Sequence, residues 1–174
     1  MKVSVFIGTS VDGFIARTDG GLDWLPSGGG ESHGYDEFFE SVDAVVIGRK
    51  TFETVLGFES WPYGTKPVIV LSTRMAQAKV PEGANCEVMS GSPAQVVARL
   101  AERGVSHIYV DGGATIRGFL EAGLVEDLTI TRVPVLIGDG IPLFGPLPKD
   151  IRLQHLATRS YSSGLVTSQY RVVP

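Results

Sequence analysis

Three short apolar runs, each stopping at a cluster of small or polar residues, constrain this chain more than any other feature. They are Val45-Val46-Ile47 ending in Gly48-Arg49-Lys50-Thr51, Val68-Ile69-Val70-Leu71 ending in Ser72-Thr73-Arg74, and His107-Ile108-Tyr109-Val110 ending in Asp111-Gly112-Gly113-Ala114-Thr115. Runs of this length and composition read as buried strands. The first and third pass directly into helix-like sequence. Such strands belong to a parallel sheet, whose carboxyl ends share one crevice where ligands bind. The three polar loops therefore converge. Two of them offer a helix N-terminus, which favours phosphate, and two carry Arg, which suits bidentate phosphate contact. The pattern asks for a phosphorylated cofactor of the nucleotide kind.

The chain has 174 residues, enough for one domain (1–174) with a sizeable core. A hydrophobic share of 43% and a charged share of 20% are those of a soluble globular protein. The net charge of −4 argues against general nucleic-acid binding. No apolar stretch reaches the roughly 18 residues of a membrane span. The first eight residues alternate like a strand and are too short for a secretory leader. The single cysteine, Cys86, has no internal partner for a disulfide. These features together lead us to expect a cytoplasmic protein.

The expected elements are a strand over 2–8, a long loop to about residue 32, a helix over 33–41, a strand over 43–47 and a helix starting near Arg49. Strands follow near 67–71 and 86–89. Ser92-Pro93 opens a helix with Pro at its first position, Val96, Val97 and Leu100 give it one apolar face, and Gly104 ends it. A strand over 107–110, a helix over 113–122 and a strand over 126–132 come next. The tail reads as an antiparallel pair, 152–161 and 165–173, turning at Ser162-Ser163-Gly164. The Ser/Gly-rich stretch 27–32 reads as a flexible loop. The sum is an α/β fold with a mostly parallel central sheet and an antiparallel C-terminal edge hairpin.

Four motifs in this order resemble the dihydrofolate reductase superfamily, nearly end to end. Val11-Asp12-Gly13-Phe14-Ile15-Ala16, followed by Trp24, resembles the family's first loop. Gly48-Arg49-Lys50-Thr51-Phe52-Glu53 resembles its Gly-Arg-x-Thr signature. Leu71-Ser72-Thr73-Arg74 resembles its adenosine-side loop, and Asp111-Gly112-Gly113 its glycine-rich pyrophosphate turn. The stretch from Pro134 to Phe144 is similar to the reductase domain of riboflavin biosynthesis, usually fused to a deaminase. No deaminase signature of the His-x-Glu and Pro-Cys-x-x-Cys kind exists in the chain. The resemblance is thus to a stand-alone relative of that reductase domain. It implies a three-layer sandwich fold, NADPH as cofactor and a homodimer.

The resemblance also distributes roles. Gly48, Arg49, Lys50 and Thr51 would bind cofactor phosphates; without it they read as a helix start with Thr as cap and Arg in solvent. With Arg49, the residues Leu71, Ser72, Thr73 and Arg74 would form the pocket for a 2′-phosphate, or else an ordinary polar turn. Gly112, Gly113, Ala114 and Thr115 would cradle the diphosphate, since two glycines at a strand–helix junction permit positive φ and close approach. A carboxylate there repels a diphosphate, so Asp111 is expected to turn away and to bond backbone amides of the turn or cap the following helix. Backbone groups at Ile15 and Ala16 would hold the nicotinamide. Trp24 would shape the mouth of the pocket, though an ordinary half-buried Trp reads equally well.

Hydride transfer to C=N or C=O needs a proton donor. The family places an acid on the first helix, where Asp36 is the candidate here, although alignment on Phe39 puts Tyr35 at the acidic position. The family's Arg that grips the folate tail falls near Lys66, which lacks the bidentate fork. Thr131 faces either the substrate or the core. His33, His107 and His155 show no metal-ligand spacing, so no metal is expected. Gly138-Asp139-Gly140 reads as a loop turn. The expected function is an NADPH-dependent reductase acting on a C=N or C=O of a small pyrimidine- or pterin-like heterocycle. The alternatives are a true dihydrofolate reductase and a non-catalytic nucleotide-binding protein. The segment 128–135 and the C-terminal hairpin offer apolar strands for the dimer.

Overall fold

The apolar runs become strands and the periodic segments between them become helices. In a computed structural model that describes residues 1–26, 31–74 and 79–174, the order is β1 (Lys2–Ser10), β2 (Phe14–Ala16), α1 (Tyr35–Ser41), β3 (Ala44–Gly48), α2 (Arg49–Leu56), β4 (Val68–Leu71) and β5 (Cys86–Met89). Then come α3 (Pro93–Glu102), β6 (His107–Asp111), α4 (Gly113–Glu121), β7 (Asp127–Val133), β8 (Ile141–Pro142), β9 (Arg152–Ser160) and β10 (Val166–Val173). Most of the stretch expected to be a flexible loop, residues 27–30, lies outside the described residues.

One eight-stranded sheet runs β5-β4-β3-β6-β1-β7-β10-β9. The pairs from β5 through β7 are parallel, and β10 then pairs antiparallel with both β7 and β9. Alternation along each strand sorts side chains to two faces. On one face Val3, Val5, Ile108, Val110 and Leu128 meet Val96 and Leu100 of α3 and Ile116, Phe119 and Leu120 of α4. On the other, Val45, Ile47, Val68, Val70 and Tyr109 meet Phe52 and Val55 of α2, and α1 adds Tyr35, Phe38 and Phe39. Helices on both faces of a mostly parallel sheet make the expected three-layer sandwich.

Local chemistry explains the helix ends. The Ser92 hydroxyl accepts the Gln95 amide proton at 3.3 Å while Gln95 Oε1 accepts that of Ser92 at 2.9 Å, a capping box that starts α3 at Pro93. Helix α1 starts two residues later than expected because His33 (φ 54°) and Gly34 (φ 83°) are left-handed, a conformation that cannot open a right-handed helix.

Two elements depart from expectation. The stretch read as an unbroken loop contains β2, and the segment after β7 contains β8; the two pair antiparallel, Phe14 opposite Pro142 and Ala16 opposite Ile141. Strands of three and two residues carry no readable period. Their approach depends on Gly140, where a Cβ would run into the Ala16 carbonyl. Asp12 fastens the same region, accepting the amides of Gly138 (2.8 Å) and Ile137 (3.3 Å). The expected turn at residues 138–140 therefore serves to hold the first loop. Strand β7 is an interior strand with Leu128, Thr129, Thr131 and Val133 buried, Ile130 half-buried and Arg132 exposed. The exposed edge is β9, all nine of whose residues are exposed. Among the described residues no helix is long and apolar enough to cross a membrane.

Candidate active site

Strands β3 and β6 are neighbours, with Ile47 opposite Asp111, so the turns that follow them open side by side. Helix α2 starts after Gly48 and helix α4 after Gly112, and neither N-terminus carries a side-chain cap. The leading amides of both helices are thus available to an anion. Gly112 sits at φ 94°, which L side chains rarely adopt. The two turns also pack on each other reciprocally. A Cβ at Gly112 would collide with Thr51 Oγ1 of α2, and one at Gly48 would lie 2.8 Å from Thr115 Oγ1 of α4. At Gly113 a Cβ would be 2.9 Å from Ile15 Cδ1 and 3.3 Å from the Pro142 carbonyl, so β2 and β8 close over the same turn.

These turns border a cavity of about 1280 Å³. Its wall includes Ile15, Ala16, Gly48, Arg49, Lys50, Thr51, Leu71, Gly112, Gly113, Ala114, Thr115 and Thr131. A model of the RibD C-terminal domain matches residues 1–167. The chain belongs to that family.

Among its relatives, the uncharacterized protein YwjB of Bacillus subtilis (strain 168) is 30% identical over 167 residues, 94% of each chain. A protein of Shewanella sp. PV-4 provisionally assigned to riboflavin biosynthesis has a crystal structure that superposes with TM-score 0.90 at 37% identity, over 100% of both chains. The dihydrofolate reductase of Enterococcus faecalis complexed with NADP(H) shares the fold, with TM-score 0.70 at 18% identity over 99% of this chain and 97% of its own.

The fold does not bring every expected residue to the cavity. The wall reaches Leu71 at the end of β4, and Ser72, Thr73 and Arg74 lie beyond it. There Ser72 Oγ accepts the Arg74 amide at 3.2 Å, which closes a small turn. Trp24 is half-buried and does not line the cavity, although its neighbours Leu22 and Leu25 do. Asp36 is exposed and off the cavity, whereas Tyr35, one residue earlier, lines it. A step of one residue turns a helical side chain by about 100°, which puts Asp36 on the solvent side of α1. Thr131 does face the cavity, with its hydroxyl bonded to Thr167 at 2.8 Å across the β7–β10 pair.

Asp111 meets its expectation in part. It bonds a backbone amide of the turn, but it neither turns away nor caps α4, whose N-cap is Gly112. It lines the cavity and accepts the Gly112 amide at 2.8 Å. Burial raises its carboxyl above the usual carboxylate range, opposed by the Gly112 amide and by the nearby Tyr109 hydroxyl, whose own proton goes to the Phe6 carbonyl at 3.0 Å. Three tyrosines surround it. Tyr35, Tyr63 and Tyr109 all line the cavity, and each hydroxyl is raised above its ordinary value, first by burial and next by the Asp111 charge. Sequence reasoning turned Asp111 away from the site because it treated the carboxyl as ionised. The sign available was an acid set between a buried strand and two glycines. Among the described residues no cluster of metal-ligating side chains occurs.

Proposed function

We propose that this RibD C-terminal domain is an NADPH-dependent reductase that reduces a C=N or C=O bond of a small pyrimidine- or pterin-like heterocycle. One observation carries the reading. Two uncapped helix N-termini, each behind a glycine whose Cβ space is already filled, open into the cavity that also holds a protonatable carboxyl. Gly48, Gly112 and Gly113 leave the bare backbone that a diphosphate needs for close approach. The residues present therefore fit a dinucleotide. The α2 and α4 amides would hold its phosphates, Arg49 and Lys50 would supply positive charge, and Ile15 and Ala16 would hold the ring end. When bound, the cofactor supplies a hydride.

The chain's own part is to shape, desolvate and protonate. The tyrosines and Phe6 form an aromatic wall that excludes water from the acceptor. Asp111, whose burial favours the protonated carboxyl, would give its proton to the nitrogen or oxygen that gains charge as the double bond is reduced. The protein of Shewanella sp. PV-4 and the cofactor in the Enterococcus reductase support the reading by likeness. We also propose a homodimer, supported by the exposed edge strand β9. Fluorescence titration with NADPH and NADH tests the central claim. NADPH should bind, and tighter than NADH by about tenfold or more, whereas absence of NADPH binding would remove the reading.

A further inference from the structure

We infer that the acceptor end of this cavity takes a flat, uncharged heterocycle and discriminates against one that carries a phosphate or carboxylate tail. The inference rests on the reductase reading and names the substrate class within it.

The acceptor end is the part of the cavity beneath α1. Its side walls are aromatic. Phe6 and Tyr35 meet edge to face with ring centroids 5.4 Å apart, and Tyr35 meets Tyr109 in the same way at 6.3 Å. Tyr63 completes the group. Aromatic walls of this kind offer large apolar area to a planar ring. The floor adds Thr131, whose hydroxyl is already satisfied by Thr167, and the Asp111 carboxyl, which can donate to and accept from ring nitrogens.

Charge decides the rest. Among the described residues, the lysines and arginines in the cavity wall are Arg49, Lys50 and Arg117. Arg49 and Lys50 open α2, and Arg117 is on α4 with Nη1 bonded to the Pro142 carbonyl at 3.4 Å. All three belong to the helices assigned to cofactor phosphates. The undescribed stretches 27–30 and 75–78 contain no Lys or Arg. Lys66, the nearest sequence counterpart of a tail-gripping cation, is not in the wall. It donates to the carbonyls of Phe39 and Val42 at the end of α1 and lies over the Phe39 ring.

The fixed groups of the acceptor end point the same way. They are the hydroxyls of Tyr35, Tyr63 and Tyr109 and the Asp111 carboxyl, none of them a cation. An anionic tail entering there would lose its hydration and find no lysine or arginine in the cavity wall outside α2 and α4. A neutral ring loses little water and gains the aromatic wall.

The test compares twins that differ only in the tail. 5-Amino-6-ribosylaminouracil is set against its 5′-phosphate, and 7,8-dihydrobiopterin against 7,8-dihydrofolate. Each is titrated by fluorescence into the full chain saturated with NADPH, at pH 8, where an ordinary imidazole is neutral. At least one neutral compound should bind, and at least tenfold more tightly than its anionic twin. An anionic twin that binds as tightly or more tightly overturns the inference, as does failure of both neutral compounds to bind. The NADPH titration that precedes each run keeps the two claims apart. Loss of cofactor binding brings down the reductase reading, whereas cofactor binding with an anionic preference brings down this inference alone.

Discussion

Thr51 occupies the space that a side chain at Gly112 would need, although the two residues belong to different strand–helix units. The contact ties the N-terminus of α2 to the turn before α4. A second such contact, Thr115 against Gly48, ties them in the reverse sense. Two uncapped helix ends are thereby held at a fixed spacing, as the proposed binding of one dinucleotide across them requires.

The first prediction follows from that contact. Gly112→Ala should abolish NADPH binding and destabilise the fold, because it adds a collision with Thr51 to a positive φ that costs about 1–3 kcal/mol. In a Thr51→Ala background the collision disappears and the backbone strain remains. The stability loss from Gly112→Ala should therefore be smaller there, by roughly 0.5 kcal/mol or more. Urea midpoints for the four proteins of the cycle measure the difference. Strict additivity would show that the two residues do not press on each other.

On the proposed reading, Arg49 carries the choice of cofactor. In this structure its Nη1 pairs with Glu53 Oε1 at 3.1 Å, and both side chains are substantially exposed. An exposed pair of this kind contributes little and yields readily to a better partner. A charge-assisted bond to a 2′-phosphate is worth roughly 1.5–3 kcal/mol. Arg49→Ala should therefore weaken NADPH by about tenfold or more and leave NADH nearly unchanged. If both cofactors weaken equally, Arg49 serves the diphosphate or the fold and not the 2′-phosphate.

Asp111 makes a paired prediction about activity and stability. As proton donor it must be protonated, so turnover should fall as pH rises through its raised value. Asp111→Asn should lower kcat by about 10²–10⁴ and remove that limb of the profile. The sign for stability is the opposite. A carboxyl whose folded value is raised holds its proton more tightly in the folded state, so stability is lost as pH climbs from the unfolded value, about 3.9, through the folded one. The amide keeps an acceptor for the Gly112 N–H and carries no charge. Asp111→Asn should thus melt higher than the parent at pH 8 and no higher at pH 3.5. A variant that is inactive and also less stable at pH 8 would assign Asp111 a structural role.

The strand ends were legible because Ile47-Gly48-Arg49 and Val110-Asp111-Gly112 place β-branched residues, then glycine, then a helix start in one local sequence. Neither glycine needs a distant partner to be recognised. Strands β2 and β8 were not legible because each exists only through the other, more than a hundred residues away, and through the Gly140 gap. Asp36 illustrates a different failure. Tyr35, Phe38 and Phe39 already mark the inward face of α1 at helical spacing, and that pattern excludes Asp36. The expectation came from the family's acid and not from the residues. For Asp111 the missing quantity was burial, which decides whether a carboxyl repels a diphosphate or holds a proton.

The last prediction concerns assembly. Strand β9 ends the sheet with nine exposed residues, and its Leu153 and Leu156 are 41% and 42% exposed. A long edge strand with apolar side chains is a template for pairing with another chain. A two-fold pairing would place the same strand of each copy in one closed interface and leave no further edge to extend it. Arg152 and Arg159 lie near the two ends of β9 and keep it from being uniformly apolar. Light scattering at micromolar concentration should give twice 18.6 kDa. The double substitution Leu153→Asp, Leu156→Asp should return the mass to that of one chain with the fold intact, because neither residue is in the core. A wild-type mass near 18.6 kDa would instead show that the edge stays open and that the cavity is complete within one chain.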